Sequence, residues 1–321
     1  MSDGSTKAVL TAIAGNGLVT IAKFIGFSVS GSSALLAEAV HSLADTANQS
    51  LLYLGLRRSE RQADTHHHFG YGQERYFWNL VSAVTIFFLG CAYTIMHAVE
   101  QLGQDHTPEL SWVPFFIVGF AFVVEGYSFF VALGEFRRQA RAAGQTLRTY
   151  FVETRDPTTL AVLIEDSVAV IGLVVALIGM GLAVWTGSAI FDGIAAICIG
   201  LLMGGLAYFL AATNRKYLLN RSNEQVDQIA RELWQADDQV QQVQRVNSIV
   251  LSPDDTLLMA EVELREEALF AEMTEEEVTQ AIRFMNKLGD IRRSLEDDVS
   301  RIAPETRHIF IEFATPKDKS E

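Results

Sequence analysis

Residues 35–56 read LLAEAVHSLADTANQSLLYLGL. The stretch is apolar enough to lie in a membrane, yet its middle carries Glu38, His41 and Asp45. A charge at bilayer depth costs several kcal/mol unless it is paired, solvated or bound to an ion. If this segment spans a bilayer, the fold is a bundle of membrane helices and the three titratable groups need a reason to be there.

The rest of the chain supports a membrane fold. Of its 321 residues 49% are hydrophobic, concentrated in long runs over the first two thirds. A spanning helix needs about 20 mostly apolar residues. Six stretches meet that length, at roughly 8–29, 33–55, 77–100, 112–135, 158–185 and 189–212. The first, second and fifth are spotted with polar residues. Arginines crowd the second-to-third connector (Arg57, Arg58, Arg61, Arg75) and the fourth-to-fifth (Arg137, Arg138, Arg141, Arg148, Arg155). Arg215, Lys216 and Arg221 follow the sixth span, and connectors 30–32, 101–111 and 186–188 hold no Lys or Arg. The positive-inside rule therefore expects both termini in the cytoplasm. The polar opening MSDGSTK is no signal peptide, and an Arg-rich transit peptide is absent, which points to a multi-pass protein of a bacterial inner membrane.

The expected domains are a six-helix transmembrane domain, residues 1–213, and a small cytoplasmic α/β domain, residues 214–321. In the tail, NEQVDQIARELWQA has helical spacing, RVNSIVLSP and TLLMAEVELRE read as strands around a turn, TEEEVTQAIRFMNKLGDIRRSLEDDV opens on a Thr cap, and RHIFIEFAT alternates like a strand. The order is α-β-β-α-β. Basic residues number 11 against 16 acidic in 1–213 (−5) and 14 against 23 in 214–321 (−9), giving the net charge of −14. Such a chain is no nucleic-acid binder. Cys91 and Cys198 lie far apart in apolar runs, so neither a disulfide framework nor a CxxC metal site is expected.

His41 and Asp45 are four residues apart, about 6 Å from each other on one helix face. An imidazole nitrogen and a carboxylate oxygen there can meet one ion at about 2 Å each. A plain His–Asp contact tying two helices together is the alternative. The fifth span, DPTTLAVLIEDSVAVIGLVVALIG, places Glu165 and Asp166 in mid-run with no Lys or Arg. Adjacent carboxylates point about 100° apart on a helix, so one can face the second span while the other meets a neighbour. One imidazole and two carboxylates suit Zn²⁺, and with more oxygen ligands Mn²⁺, Fe²⁺ or Co²⁺.

At these residues the chain resembles the cation diffusion facilitator family, the six-span divalent-metal exporters. NGLVTIAKFIGFSVSGSSALLAEAVHSLAD follows the family's opening pattern, with Asn16, Lys23 and Gly26. HHFGYGQERYFWNLVSA is similar to its loop and third-span entry, and Asp192 matches an acid early in the sixth span. The resemblance implies a transport site of two side chains from the second span and two from the fifth. His41 and Asp45 fill the first pair and Asp166 the family's aspartate, six before Gly172. Four residues before Asp166, where a His or Asp usually stands, this chain has Val162; Glu165 or water would fill the gap. DPTTxxVxxED is similar to the branch that contains the mitochondrial zinc transporter. The family also implies a second metal site in the loop, here Asp64, His66, His67 and His68, and a homodimer joined through the tails.

Other polar residues carry less. Glu125 in the fourth span pairs with a neighbouring helix or relays protons; His97, His106 and His308 read as ordinary surface or interface residues. Gly200 and Gly204 form a GxxxG pattern that permits close helix contact, within the chain or between chains. No GxxxxGK[ST] loop is present, so transport must run on a gradient. Metal needs a neutral imidazole and ionised carboxylates, so binding displaces protons. The expectation is a divalent-metal/proton antiporter for zinc (Mn²⁺, Fe²⁺ or Co²⁺ as alternatives) and not an enzyme. The rivals are a transporter of small organic cations and a membrane-bound metal-binding regulator.

Overall fold

In a computed structural model, residues 3–102, 112–153, 157–253, 255–271, 273–303, 306 and 309–313 are described. The chain divides into two units, residues 1–224 with 248–258, and residues 225–247 with 259–321.

The first unit is built on long helices: α1 (Asp3–Ser30), α2 (Ser33–Ser59), α3 (Glu74–Thr85) continued through a π-helical stretch (Ile86–Tyr93) into α4 (Thr94–Leu102), α5 (Trp112–Ala142), α7 (Pro157–Thr186) and α8 (Ile190–Leu218). A short α6 (Leu147–Glu153) precedes α7. Four helices, Glu74–Leu102, Trp112–Ala142, Leu160–Thr186 and Ile190–Leu218, are long and apolar enough to cross a membrane, and Asn16–Ser30 is a shorter apolar helix. The long helix of this unit that is in neither group, α2, is the one whose middle carries Glu38, His41 and Asp45. It is nevertheless the centre of the bundle, packing on α1, α3, α7 and α8.

Small residues let the helices approach. Ala34, Ala37 and Ala44 of α2 are buried with Leu173 and Ala176 of α7 and Ala196 of α8. A Cβ added at Gly200 would stand 2.7 Å from Ile95 Cγ1, and one at Gly204 2.9 Å from Cys91 Sγ. The GxxxG face of α8 is therefore used inside the chain. On the outer side α5 exposes Phe116, Phe120, Val123 and Phe130, side chains suited to lipid.

The α1–α2 junction explains the run Gly31-Ser32-Ser33. Gly31 takes φ +65°, a left-handed conformation open to glycine, and its N–H donates to Phe27 O at 2.7 Å. Ser32 caps α2, its Oγ accepting from Leu35 N. Asp192 of α8 then reaches this helix end. Its Oδ1 accepts from Ser32 Oγ at 2.6 Å, and its Oδ2 accepts from Ser33 N at 2.5 Å and Ala34 N at 3.4 Å. A carboxylate at a helix N-terminus satisfies orphan N–H groups and complements the dipole.

The second unit contains α9 (Glu224–Gln235, counted from Gln225), most of the hairpin β1 (Val240–Ser252) and β2 (Asp255–Leu264), α10 (Glu266–Phe270) and α11 (Glu275–Ile302). Thr274 and Glu277 form the capping box that the sequence announces for α11. Among the described residues the sheet has two strands, β1 and β2. The strand expected from RHIFIEFAT is corrected: residues 309–313 carry no strand, while 307–308 and 314–315 lie outside the described residues. Period-2 alternation shows which face a segment would bury but supplies no partner strand.

Asp192→Ala leaves the buried Ser32 hydroxyl and Ser33 N–H without their acceptor, at about 1–3 kcal/mol per group. Thermal unfolding in detergent is expected at a lower temperature than for the parent chain, with Asp192→Asn in between; an unchanged midpoint contradicts the anchoring role.

Candidate functional site

The polar residues of α2 recur at helical spacing: Glu38, His41, Asp45, then Asn48. His41 is 1% exposed, with Nε2 3.5 Å from Asp45 Oδ2. Among the described residues neither ring nitrogen of His41 finds a hydrogen-bond partner, and Asp45 Oδ1 is also without one. Buried polar atoms are normally satisfied, so this pair carries nitrogen and oxygen lone pairs that no hydrogen bond occupies.

From α7, Glu165 and Asp166 take up different neighbours, as adjacent helical positions must. Both oxygens of Glu165 accept from Asn48 Nδ2, at 2.9 and 3.0 Å, and Asn48 Oδ1 in turn accepts from Ser82 Oγ at 2.5 Å. Asp166 Oδ2 accepts from Ser128 Oγ of α5 at 3.0 Å. Asp45 lies within electrostatic reach of Asp166, and Glu165 within reach of His41, Asp45 and Asp166. Val162, 42% exposed, stands aside. Among the described residues no three His, Cys, Asp or Glu side chains are drawn together as a ready ligand cage. The structure brings the acids of α7 near the His–Asp pair of α2 and holds each of them on a neutral donor.

Lys23 of α1 is a partner that the residue pattern does not announce for the other buried acids, Glu38 and Glu125. It is fully buried, and its Nζ donates to Glu38 Oε2 at 3.0 Å, Ser42 Oγ at 2.8 Å and Glu125 Oε1 at 2.8 Å. Lys23 thus supplies an internal cation for Glu38 and Glu125, and Glu125 pairs with a neighbouring helix. Asp45, Glu165 and Asp166 have no Lys or Arg ion pair among the described residues. The signal in the sequence was a lysine inside the apolar run IAKFIGF; Ser42, Asn48 and Ser128, all short polar residues on apolar helices, carried a fainter one.

In the loop, Asp64 organises rather than waits. Its Oδ1 accepts from the His66 and His67 N–H groups at 2.9 and 2.8 Å, and its Oδ2 from Tyr71 Oη at 2.6 Å. These bonds hold its carboxyl below the usual carboxylate range. The His67 ring packs on Tyr71 with centroids 4.2 Å apart, Arg61 Cζ lies 4.2 Å from the Tyr71 ring centroid, and His68 Nε2 contacts Thr65 O at 3.1 Å. His66, His67 and His68 line a cavity of about 530 Å³ with Tyr71 and Leu251; His67 Nδ1 stands 3.5 Å from Asp64 Oδ1, but among the described residues no three of these side chains converge as a metal-ligand group. His97 meets Phe27 edge-on; His106 and His308 lie outside the described residues.

The family described as the cation efflux transmembrane domain matches residues 9–219. The chain is 35% identical to the mouse (Mus musculus) protein named proton-coupled zinc antiporter SLC30A9, mitochondrial, over 97% of this chain and 59% of the relative. It is 33% identical to metal tolerance protein C4 of Arabidopsis thaliana, over 98% of this chain and 75% of the relative. A shorter similarity, 31% identity over 36% of this chain and 37% of the relative, joins it to magnetosome protein MamM of Paramagnetospirillum magneticum. The chain spans about three fifths of the length of the mouse relative.

Two outcomes follow from this geometry. A Cβ at Gly172 would stand 2.6 Å from Glu38 Oε1, while Lys23 holds the other oxygen. Gly172→Ala is therefore expected to destabilise by about 1–3 kcal/mol, and Glu38→Asp, whose carboxylate is withdrawn, should relieve part of that loss in a double-mutant thermal-unfolding cycle. For Asp64 the depressed carboxyl means that the bonds it accepts are fully present above the unfolded value of about 3.9 and fail only as pH falls through the lower folded one. Hydrogen exchange at the His66 and His67 amides should stay slower than in Asp64→Ala at pH 4.5; equal exchange in the two proteins contradicts this.

Proposed function

The chain belongs to the cation efflux family, the cation diffusion facilitators, and from that premise we propose that it exports zinc in exchange for protons, with the metal carried between α2 and α7. The observation that carries this reading is the buried His41, both ring nitrogens free of hydrogen bonds, one turn from Asp45 and facing the acids of α7.

His41 supplies an imidazole nitrogen and Asp45 a carboxylate oxygen from one helix. Asp166 supplies an oxygen from the other helix on leaving Ser128, and Glu165 or water completes four positions, the number zinc favours. Position 162 has no donor, which is why Glu165 matters. Metal displaces protons from such a set, and protons arriving from the opposite side displace metal. That competition couples metal and proton binding without any nucleotide site. The zinc choice is supported by relatives named as proton-coupled zinc antiporters; manganese, iron or cobalt would need more oxygen donors.

On this reading α1, α2, the helix Glu74–Leu102, α5, α7 and α8 are six spans. The arginine-rich connectors and both termini lie on the side from which metal is taken. Residues 214–321 form the soluble domain through which two copies pair, and Asp64 with His66, His67 and His68 takes a second ion only if the loop rearranges.

Purified protein in liposomes loaded with a zinc-sensitive dye tests the scheme. Zinc flux should grow with an imposed pH gradient and fall by on the order of a hundredfold or more in Asp45→Ala. Flux indifferent to the gradient, or undiminished in that variant, overturns it.

A further inference from the structure

The Lys23 ammonium has three N–H donors, and all three are used: Glu38 Oε2 and Ser42 Oγ on α2, and Glu125 Oε1 on α5. Each of the two carboxylates thereby has one oxygen committed to Lys23 and one, Glu38 Oε1 and Glu125 Oε2, buried without a hydrogen bond. These free oxygens are not remote from the His–Asp pair. Glu38 is one turn before His41 on α2, Lys23 grips Ser42, the residue next to His41, and both Glu38 and Glu125 act electrostatically on Asp45. The absence of a side chain at Gly172 gives Glu38 Oε1 its room against α7.

Two extra carboxylates so close to a metal path would change its chemistry. One imidazole and two or three carboxylate oxygens suit a four-coordinate borderline ion. Two further carboxylates make an oxygen-rich set of five or six, which suits a hard octahedral ion such as Mn²⁺. We propose that Lys23 is a selectivity-determining residue: by tethering Glu38 and Glu125 it withholds both carboxylates from the transported ion and keeps the α2–α7 site small enough in donor number to prefer zinc over manganese. Lysine suits the task because its ammonium is a compact point charge with three donors, able to hold carboxylates on two different helices at once. The tether touches no metal and acts through the donors it removes, so Lys23 is a positioning residue.

The inference rests on the metal reading above, and its test is a ratio that the parent chain must first display. The full chain in detergent is titrated calorimetrically with Zn²⁺ and with Mn²⁺ at one fixed pH. If the parent chain binds no zinc, or Asp45→Ala binds it as well, the transport reading has failed, and separately from this one. Given zinc binding by the parent, Lys23→Met should lower the Zn²⁺-over-Mn²⁺ affinity ratio by on the order of tenfold or more. The triple variant Lys23→Met/Glu38→Gln/Glu125→Gln, which removes the freed carboxylates, should restore it. An unchanged ratio in Lys23→Met, or a shifted ratio that the triple variant does not restore, overturns the proposal. If Lys23→Met does not fold, Glu38→Gln and Glu125→Gln decide. Zinc affinity within about tenfold of the parent in both supports the tether, and a larger loss in either marks that carboxylate as a zinc donor and overturns it.

Discussion

Charge buried among apolar helices constrains everything else in this molecule. In such surroundings a carboxylate must find a cation, a donor or an ion, and removing one partner of a buried pair costs about 3–5 kcal/mol. Lys23 meets that constraint for Glu38 and Glu125 and in doing so fastens α1, α2 and α5 to one point. Asp192 meets it differently, at the N-terminus of α2, where the partners are two N–H groups and a hydroxyl. Asn48 and Ser128 meet it for Glu165 and Asp166 with neutral donors.

The proposed function draws on the difference between these solutions. A lysine is a permanent partner, whereas a neutral amide or hydroxyl leaves the acid's charge uncompensated. The acids held by Lys23 are consequently structural in position, while Asp45, Glu165 and Asp166 have no Lys or Arg ion pair among the described residues, and the proposed transport site rests on that difference. A dication and protons are two ways of meeting the same deficit. On the proposed reading, exchange of one for the other is then a property of the site rather than an added device.

Much of the bundle was legible in the residues. The apolar runs located the long helices, because membrane length and backbone satisfaction leave few alternatives. The Thr274 cap and the acidic first turn marked the start of α11, and the spacing of His41 and Asp45 gave their contact along one helix. Glu165 and Asp166 diverge toward α2 and α5 as the 100° step between neighbours requires. What sequence could not supply were contacts between helices. Lys23 sits 15 residues from Glu38 but 102 from Glu125, and no periodicity within α1 announces either meeting. The third strand failed for a related reason: alternation in RHIFIEFAT describes one segment, and a strand exists only with a partner. In the loop, Asp64 and three histidines resembled a ligand run, yet Asp64 spends its oxygens on backbone N–H groups and Tyr71.

The central claim is that α2 and α7 hold the ion together. Anomalous scattering at the zinc edge from zinc-loaded protein tests it most directly. The account predicts a peak about 2.0–2.2 Å from a His41 nitrogen and from carboxylate oxygens of Asp45 and Asp166. A peak bound by Glu38 and Glu125 with Lys23 displaced, or none between the two helices, contradicts it.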